Sequence, residues 1–256
     1  MRSTVLALAM AATLPALAGP LNDTGIDFCR NGTNDVPVTG AASCPASAGT
    51  QDGRIGRDAA AVGGALTKTG AGSKGFDFTK IANSGTSLAA SAILGTAATD
   101  WACTLDNNTG LMWEVKTTSG LRSQSNTYTW YDSVHNYGGN AGWASGGSCA
   151  TAGRCDTEKY ATDVNAAGLC GHSDWRLPKL GELQSLVDFG IVGGGSAATI
   201  DASYFPNTPA SGTAAFYWSA TPDASTVRWA WYVAFNFGSS FNTTAANTFG
   251  VRLVRP

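Results

Sequence analysis

The clearest pattern of apolar and polar positions lies in residues 174–188. Pro178 has no N–H group and keeps Leu177 out of the helical conformation, so a helix can begin only after it. Glu182 fits the first turn, where a carboxylate meets the positive end of the helix dipole. The pattern therefore predicts a short amphipathic helix beside Trp175. Its apolar positions recur at spacings of three and four and share one face: Leu180, Leu183, Leu186 and Val187.

Alternation of apolar and polar residues predicts several short strands. These strands cover residues 76–81, 101–105, 111–115, 217–220, 229–235 and 251–255. Residues 106–110 (DNNTG) supply turn chemistry, so 101–115 reads as a hairpin. In the strand 229–235, the alternation places Trp231, Val233 and Phe235 on one face, toward the core. Residues 236–250, rich in Asn, Ser, Thr and Gly, indicate an exposed loop.

A second helix is predicted over residues 157–167, with Asp156 as its cap and Gly168 as its stop. Its inward positions would be Tyr160, Val164 and Ala167. Residues 51–58 read as a polar loop, and 59–75 as a Gly/Ala-rich segment. Residues 117–153 read as a long aromatic loop, a kind of segment that often carries function.

Composition narrows the class of protein. Only 13% of the 256 residues are charged, and the net charge is −2. A hydrophobic content of 43% excludes a disordered chain, and the absence of a basic cluster argues against a nucleic-acid partner. Residues 1–18 combine a positive start, an apolar run too short to span a bilayer and an Ala-Leu-Ala site, which predicts a signal peptide. We therefore expect an exported protein with no membrane insertion, secreted or on the cell surface, with the periplasm as an alternative.

Six cysteines in an exported chain predict disulfides, because their number is even and none forms a C-x-x-C pair. Sequence does not prove the connectivity. We favour Cys29–Cys44, Cys149–Cys155 and Cys103–Cys170. In the chain-entropy account, closing a loop of about 15 residues contributes roughly 3 kcal/mol.

Five motifs, in order, resemble the Lcl C-terminal domain family of exported bacterial proteins. They are CTLDNNTGLMWE at 103–114, DWRLP at 174–178 with Glu182 and Leu183, YWS at 217–219, WYVAF at 231–235 and VRLVR at 251–255. The resemblance implies an α+β, C-type-lectin-like fold related to the formylglycine-generating enzymes, with a twisted, mainly antiparallel sheet, two short helices and long loops. It divides the chain into a signal peptide (1–18), an N-terminal extension packed on the main domain (19–97) and an Lcl C-terminal-like domain (98–256).

Two further expectations follow from the resemblance. Residues 219–250 are similar to the variable region of proteins diversified by retroelements, where a fixed scaffold carries changing loop positions. Lys179 stands where many members have threonine, so we expect the loss of a capping box with Glu182 and a looser helix start.

Enzyme chemistry finds little support in the residues. His135 and His172 lie far apart in sequence, and no pair of carboxylates falls in an acid–base pattern. Asp106, Asn107 and Asn108 offer oxygen ligands for calcium but lack the spacing of a calcium loop. We predict a non-enzyme with no metal site and no cofactor, and keep calcium as the weaker alternative.

The sequence favours a binding protein of the adhesin kind, which recognises a carbohydrate or protein ligand through its C-terminal loops. Exposed rings would stack on the ligand and amides would bond to it. The candidate residues are Arg228, Trp229, Tyr232, Asn236, Phe237, Ser239, Ser240, Phe241, Asn242 and Asn247. The alternatives are a self-assembling surface or filament subunit and, if one thiol were free, an enzyme of the formylglycine-generating type.

Overall fold

The computed structural model describes residues 22–30, 35–37, 44–45, 49–134, 140–191 and 193–256. The predicted signal peptide and His135 lie outside these residues. The strands are β1 (Phe28–Arg30), β2 (Asp35–Pro37), β3 (Phe78–Ala82), β4 (Ser87–Leu88), β5 (Trp101–Asp106), β6 (Met112–Glu114), β7 (Tyr128–Thr129), β8 (Phe216–Pro222), β9 (Trp229–Ala234), β10 (Ser239–Thr244), β11 (Thr248–Phe249) and β12 (Val254–Arg255). The α-helices are α1 (Asp52–Ile55), α2 (Arg57–Val62), α3 (Thr157–Ala166) and α4 (Leu180–Gln184).

The largest sheet has five antiparallel strands in the order β12-β6-β5-β3-β4. The predicted hairpin is present as β5 and β6, and the end of the chain returns as β12 to pair Val254 with Trp113. The turn between β5 and β6 is held by the buried Asp106, whose carboxylate accepts hydrogen bonds from Asn108 and Thr109. The Asp106 oxygens, which we considered for calcium together with those of Asn107 and Asn108, therefore serve the turn.

A second sheet holds β10, β9 and β8 in that order, again antiparallel. The prediction of an exposed loop over 236–250 is wrong, because β10 and β11 lie within it. β10 is an edge strand, half-exposed along its length. An edge position needs few apolar residues, so its Ser, Asn and Thr side chains pair with β9 without producing an apolar pattern.

Both predicted helices are present, but each is shorter than expected. Asp156 caps α3 by accepting a hydrogen bond from the Lys159 N–H, and Gly168 ends the region with φ 63°. Ala167, the residue after the last one of α3, is exposed, so the prediction that it points inward is wrong. In α4 only five residues are helical, yet Leu186 just beyond it is buried as the pattern predicted.

The start of α4 is held despite Lys179. The Glu182 carboxylate still accepts from the Lys179 N–H at 2.7 Å, although an ammonium cannot supply the other half of a capping box. Thr221 of β8 satisfies a different free donor of the first turn, since its Oγ1 accepts from the Leu180 N–H at 3.0 Å. The expected loosening of the helix start is thus offset by a residue from another element.

Residues 51–62 form α1 and α2, where we predicted a polar loop followed by a Gly/Ala-rich segment. The periodicity of an amphipathic helix is missing because these short helices bury Gly53, Asp58 and Ala59 instead of large apolar side chains. In the long segment 117–153, the described residues are irregular apart from β7, but they contribute Tyr128 and Trp130 to the core.

Two apolar clusters pack on the sheets. One surrounds Trp218, Tyr160 and Trp175, and the other surrounds Trp113, Phe205 and Leu183. Three disulfides are present, Cys29–Cys44, Cys103–Cys170 and Cys149–Cys155, which confirms the favoured connectivity. None of the helices in the described part of the chain has the length and apolar character that crossing a bilayer requires. The fold is α+β and mostly antiparallel, as predicted, and its C-type-lectin-like character stays a prediction.

Candidate functional site

The register of β9 and β10 divides the candidate residues between the two faces of this hairpin. Trp231 pairs with Asn242 and Tyr232 with Phe241, so neighbouring pairs point to opposite sides. We call the side that carries Trp229 the tryptophan face. It consists of Trp229, Trp231, Ser240, Asn242 and Thr244.

The tryptophan face is exposed over the part of the hairpin that α4 does not cover. Near α4, Val233 is buried and the Gln184 side chain donates to Ser240 Oγ. Farther along, Trp229 is 37% exposed, and Trp231 is half-exposed rather than in the core. Sequence reasoning missed Trp231 because both sides of β9 alternate apolar residues, so the pattern does not tell which side is covered.

A carboxylate stands next to this face. Asp223, which follows β8, accepts a hydrogen bond from the Asn242 amide and others from the N–H and hydroxyl of Ser225. The Ser225 N–H, followed by the Ser225 hydroxyl, lowers the pKa of Asp223. The face therefore combines indole rings with an amide, hydroxyls and an ionised carboxylate.

The opposite side of the hairpin is mainly structural. Tyr232 packs its ring against Trp218, Phe216 and Phe249, with centroids 4.6 to 6.0 Å away. Phe241 lies 5.9 Å from Tyr232 and is 46% exposed at the edge of this aromatic cluster. Tyr232 thus supports the hairpin and is only partly exposed, whereas Phe241 is the more exposed ring on this side.

The remaining candidates lie at the two ends of the hairpin. Asn236 is only 7% exposed in the turn between β9 and β10, whereas its neighbour Phe237 is 58% exposed. Ser239 is exposed at the start of β10. At the other end, Arg228 is exposed with φ 65°, and Asn247 donates to Thr243. These residues do not meet at one point, and Asn236 is covered by the chain.

A cleft of about 640 Å³ lies away from most candidate residues. It opens between α3, residues 175–179, residues 130–134 and the end of β8. Its apolar surface includes Leu177 and Ala161, while the polar groups of its wall are largely used within the protein. Arg176 pairs with Glu182 at 2.7 Å, and the Asn165 amide bonds to the Trp175 backbone. Four distant segments form this cleft, so no local pattern could have indicated it.

A buried polar network lies under the sheet. Lys116 Nζ donates to Glu114 at 2.9 Å, to the Tyr160 hydroxyl at 3.0 Å and to the Val251 carbonyl at 3.0 Å. Burial lowers the pKa of Lys116 to about 8, against the opposing charge of Glu114. Lys116 is 1% exposed and Glu114 fully buried, so a ligand has no access to them. We read this network as structural.

Comparison with known proteins identifies the class. The family model described as the Lcl C-terminal domain matches residues 102–255. The chain belongs to this family, as the motifs indicated, and it is thereby a member of an extracellular or surface protein family. Its three disulfides fit the same location. The comparisons with curated proteins and with solved structures gave no match.

Proposed function

We propose that this chain is a secreted or cell-surface binding protein that recognises a carbohydrate or protein ligand through the tryptophan face. The observation that carries the proposal is the presence of Trp229 and Trp231 on the same side of β9 as Asn242 of β10. Indole rings offer flat apolar surface for the C–H side of a sugar ring or for an apolar side chain, and the amide and hydroxyls fix its orientation.

The surroundings favour a ligand of low charge. Only 13% of the chain is charged, and the ionised group beside the face is Asp223, which would accept hydrogen bonds from sugar hydroxyls. Arg228, at the end of the hairpin, would contact a sulfate or carboxylate on such a ligand. We propose a binding role without catalysis, because the tryptophan face carries no nucleophile–base pair.

The test is a screen of the full secreted protein on an array of neutral and sulfated glycans. We expect the variant Trp229→Ala/Asn242→Ala to lose at least about tenfold in affinity, since it removes a stacking ring and an orienting amide. Trp143→Ala is the matched control, because Trp143 is 51% exposed and lies outside the hairpin. Binding that both variants retain would contradict the proposal, as would binding lost equally in both.

A second candidate function is self-assembly, and β10 is the observation that favours it. This strand forms the edge of its sheet, and Phe241 and Phe237 at or beside it are 46% and 58% exposed. An exposed edge with apolar side chains can pair with another copy. Light scattering over a range of concentrations should show oligomers that Phe237→Ser/Phe241→Ser abolishes, and a concentration-independent monomer would exclude this function.

A further inference from the structure

Three carboxylates meet outside the family domain. They lie where residues 22–27, which we call the N-terminal segment, pack against α1 and α2. Asp23, Asp52 and Asp58 each offer one oxygen, and these atoms all lie within 4.8 Å of one another. Over the described residues, no lysine or arginine forms an ion pair with any of the three. Like charges this close repel strongly when they are withdrawn from water.

The inner part of this cluster is buried, and one of its carboxylate oxygens has no hydrogen-bond donor. Asp58 is fully buried, and Asp23 is 7% exposed. Asp58 Oδ1 accepts from the Gly75 N–H at 2.9 Å, but the buried Asp58 Oδ2 has no partner. Across the cluster, an oxygen of a second carboxylate, Asp23, lies within 4.8 Å of an Asp58 oxygen. A buried oxygen without a partner costs free energy unless something positive lies beside it.

The surrounding backbone makes room for these carboxylates and fixes them. A Cβ at Gly75 would overlap the Asp23 carboxylate, and one at Gly56 would overlap that of Asp52. Asp23 Oδ2 accepts from the Gly75 N–H at 3.1 Å, and the Thr24 hydroxyl donates to Asp52. The three oxygens are therefore held in place by distinct segments rather than brought together by one flexible loop.

We propose that Asp23, Asp52 and Asp58 bind a calcium ion. Carboxylate oxygens without histidine or cysteine suit a hard cation, and calcium accepts irregular oxygen geometry at about 2.3–2.6 Å. Two oxygens on one calcium ion are then at most about 5 Å apart, which the limit of 4.8 Å satisfies. The ion supplies the positive charge that Asp58 Oδ2 lacks.

Binding at this place joins the N-terminal segment to the rest of the molecule. Asp23 belongs to the segment before β1, Asp52 to α1 and Asp58 to α2, while Gly75 lies shortly before β3. The Gly75 N–H bonds to both Asp23 and Asp58, so the ion and the main sheet are linked through one turn. Calcium thus cross-links the segment before β1 to α1, α2 and the turn at Gly75, which precede the family domain.

The experiment is calorimetric titration of the chelator-treated full protein with calcium chloride and, separately, with magnesium chloride. We expect one calcium ion per chain, a dissociation constant of about 10⁻³ M or tighter, and affinity for magnesium at least about tenfold weaker. The thermal midpoint should rise by at least about 2 °C in about 5 mM calcium, because the ion binds only the folded chain.

The variants decide whether the triad is the site. Asp58→Asn keeps the size of the side chain and removes its charge, so calcium affinity should fall at least about tenfold. Asp27→Asn is the matched control in the same segment, where Asp27 faces Lys74 at 3.8 Å, and it should change the affinity less than about threefold. Absence of calcium binding by the folded protein, unchanged binding by Asp58→Asn, or equal affinity for magnesium would each overturn the proposal.

Discussion

Two buried groups of charged side chains differ in whether the chain supplies them with ion-pair and hydrogen-bond partners. In the network under the sheet, Glu114 faces Lys116, and Leu253 N–H donates to the second Glu114 oxygen at 2.9 Å. In the triad of Asp23, Asp52 and Asp58, no lysine or arginine of the described chain forms an ion pair with the carboxylates. The comparison teaches that the chain itself balances the charge of Glu114, whereas it leaves Asp58 Oδ2 in the triad without a partner.

The largest effect should come from breaking the balanced network. Lys116→Met leaves Glu114 buried without its cation, and we expect a loss of about 3–5 kcal/mol in the free energy of unfolding. Urea denaturation at neutral pH measures this loss. The double variant Glu114→Gln/Lys116→Met should lose clearly less, because no buried charge remains unpaired. A single variant within about 1 kcal/mol of the natural protein would contradict the structural reading of this network.

Raising the pH above 8 should increase the stability of the protein through the same network, whereas Lys116→Met lowers it. The pKa of Lys116 is about 8 in the folded chain, below its ordinary 10.5, so above pH 8 the unfolded chain holds more protons. Stability should therefore rise as the pH increases from 8 to 10, by on the order of 2 kcal/mol.

The rise in stability should end near pH 10, because a neighbouring tyrosine then acts in the opposite sense. Burial, followed by the charge of Glu114, raises the pKa of Tyr160 well above its ordinary 10, so above that pH the folded chain holds the extra proton and stability falls. All six cysteines are paired, which leaves no thiolate to interfere. Urea denaturation across this range should show the rise in the natural protein and not in Lys116→Met, and a flat profile in both would count against it.

Removing the charge of Asp58 should change the free energy of unfolding only slightly when calcium is absent. Asp58→Asn keeps an acceptor for the Gly75 N–H and places an amide donor toward Asp23, so we expect a change below about 1 kcal/mol in the presence of chelator. Thermal and urea unfolding would measure it. A loss above about 2 kcal/mol would show that the charged triad stabilises the fold by itself, which would remove the contrast with Lys116.

The smallest effect should come from a pair at the surface. Arg255 Nε lies 2.7 Å from Asp174, whose side chain is 53% exposed, and this contact lowers the pKa of the carboxyl. We expect Asp174→Asn to cost about 0.5 kcal/mol or less, since solvent screens such pairs. A urea midpoint that shifts as far as that of Lys116→Met would mean that burial is not what separates these groups.

Much of the fold was accessible from sequence because its signals are local. The β5–β6 hairpin follows from a turn-forming run between two alternating segments, and α3 follows from Asp156 and Gly168 at its ends. The helices α1 and α2 gave no such signal, because they bury small and acidic residues rather than an apolar stripe.

The candidate site was accessible only in part. Trp229 and Asn242 were chosen for their chemistry, and the register places them on the same side of the hairpin. Trp231 was assigned to the core and Asn236 to the surface, but the structure leaves Trp231 partly exposed and buries Asn236. Both assignments depend on which side of β9 is covered by α4 and on the turn after β9, which the strand pattern does not contain.

The sequence by itself determined the family, the α+β class and the short-range elements, since motifs, caps and turns involve neighbours along the chain. Only the tertiary structure decided which charges meet. Glu114 and Lys116 are neighbours in sequence, but Tyr160 and Leu253, which complete their network, come from distant elements. Asp23 reaches Asp52 and Asp58 only because the N-terminal segment folds onto α1 and α2. Burial removes the water that would otherwise screen these charges, so the energetic consequence of each carboxylate depends on packing and not on its place in the chain.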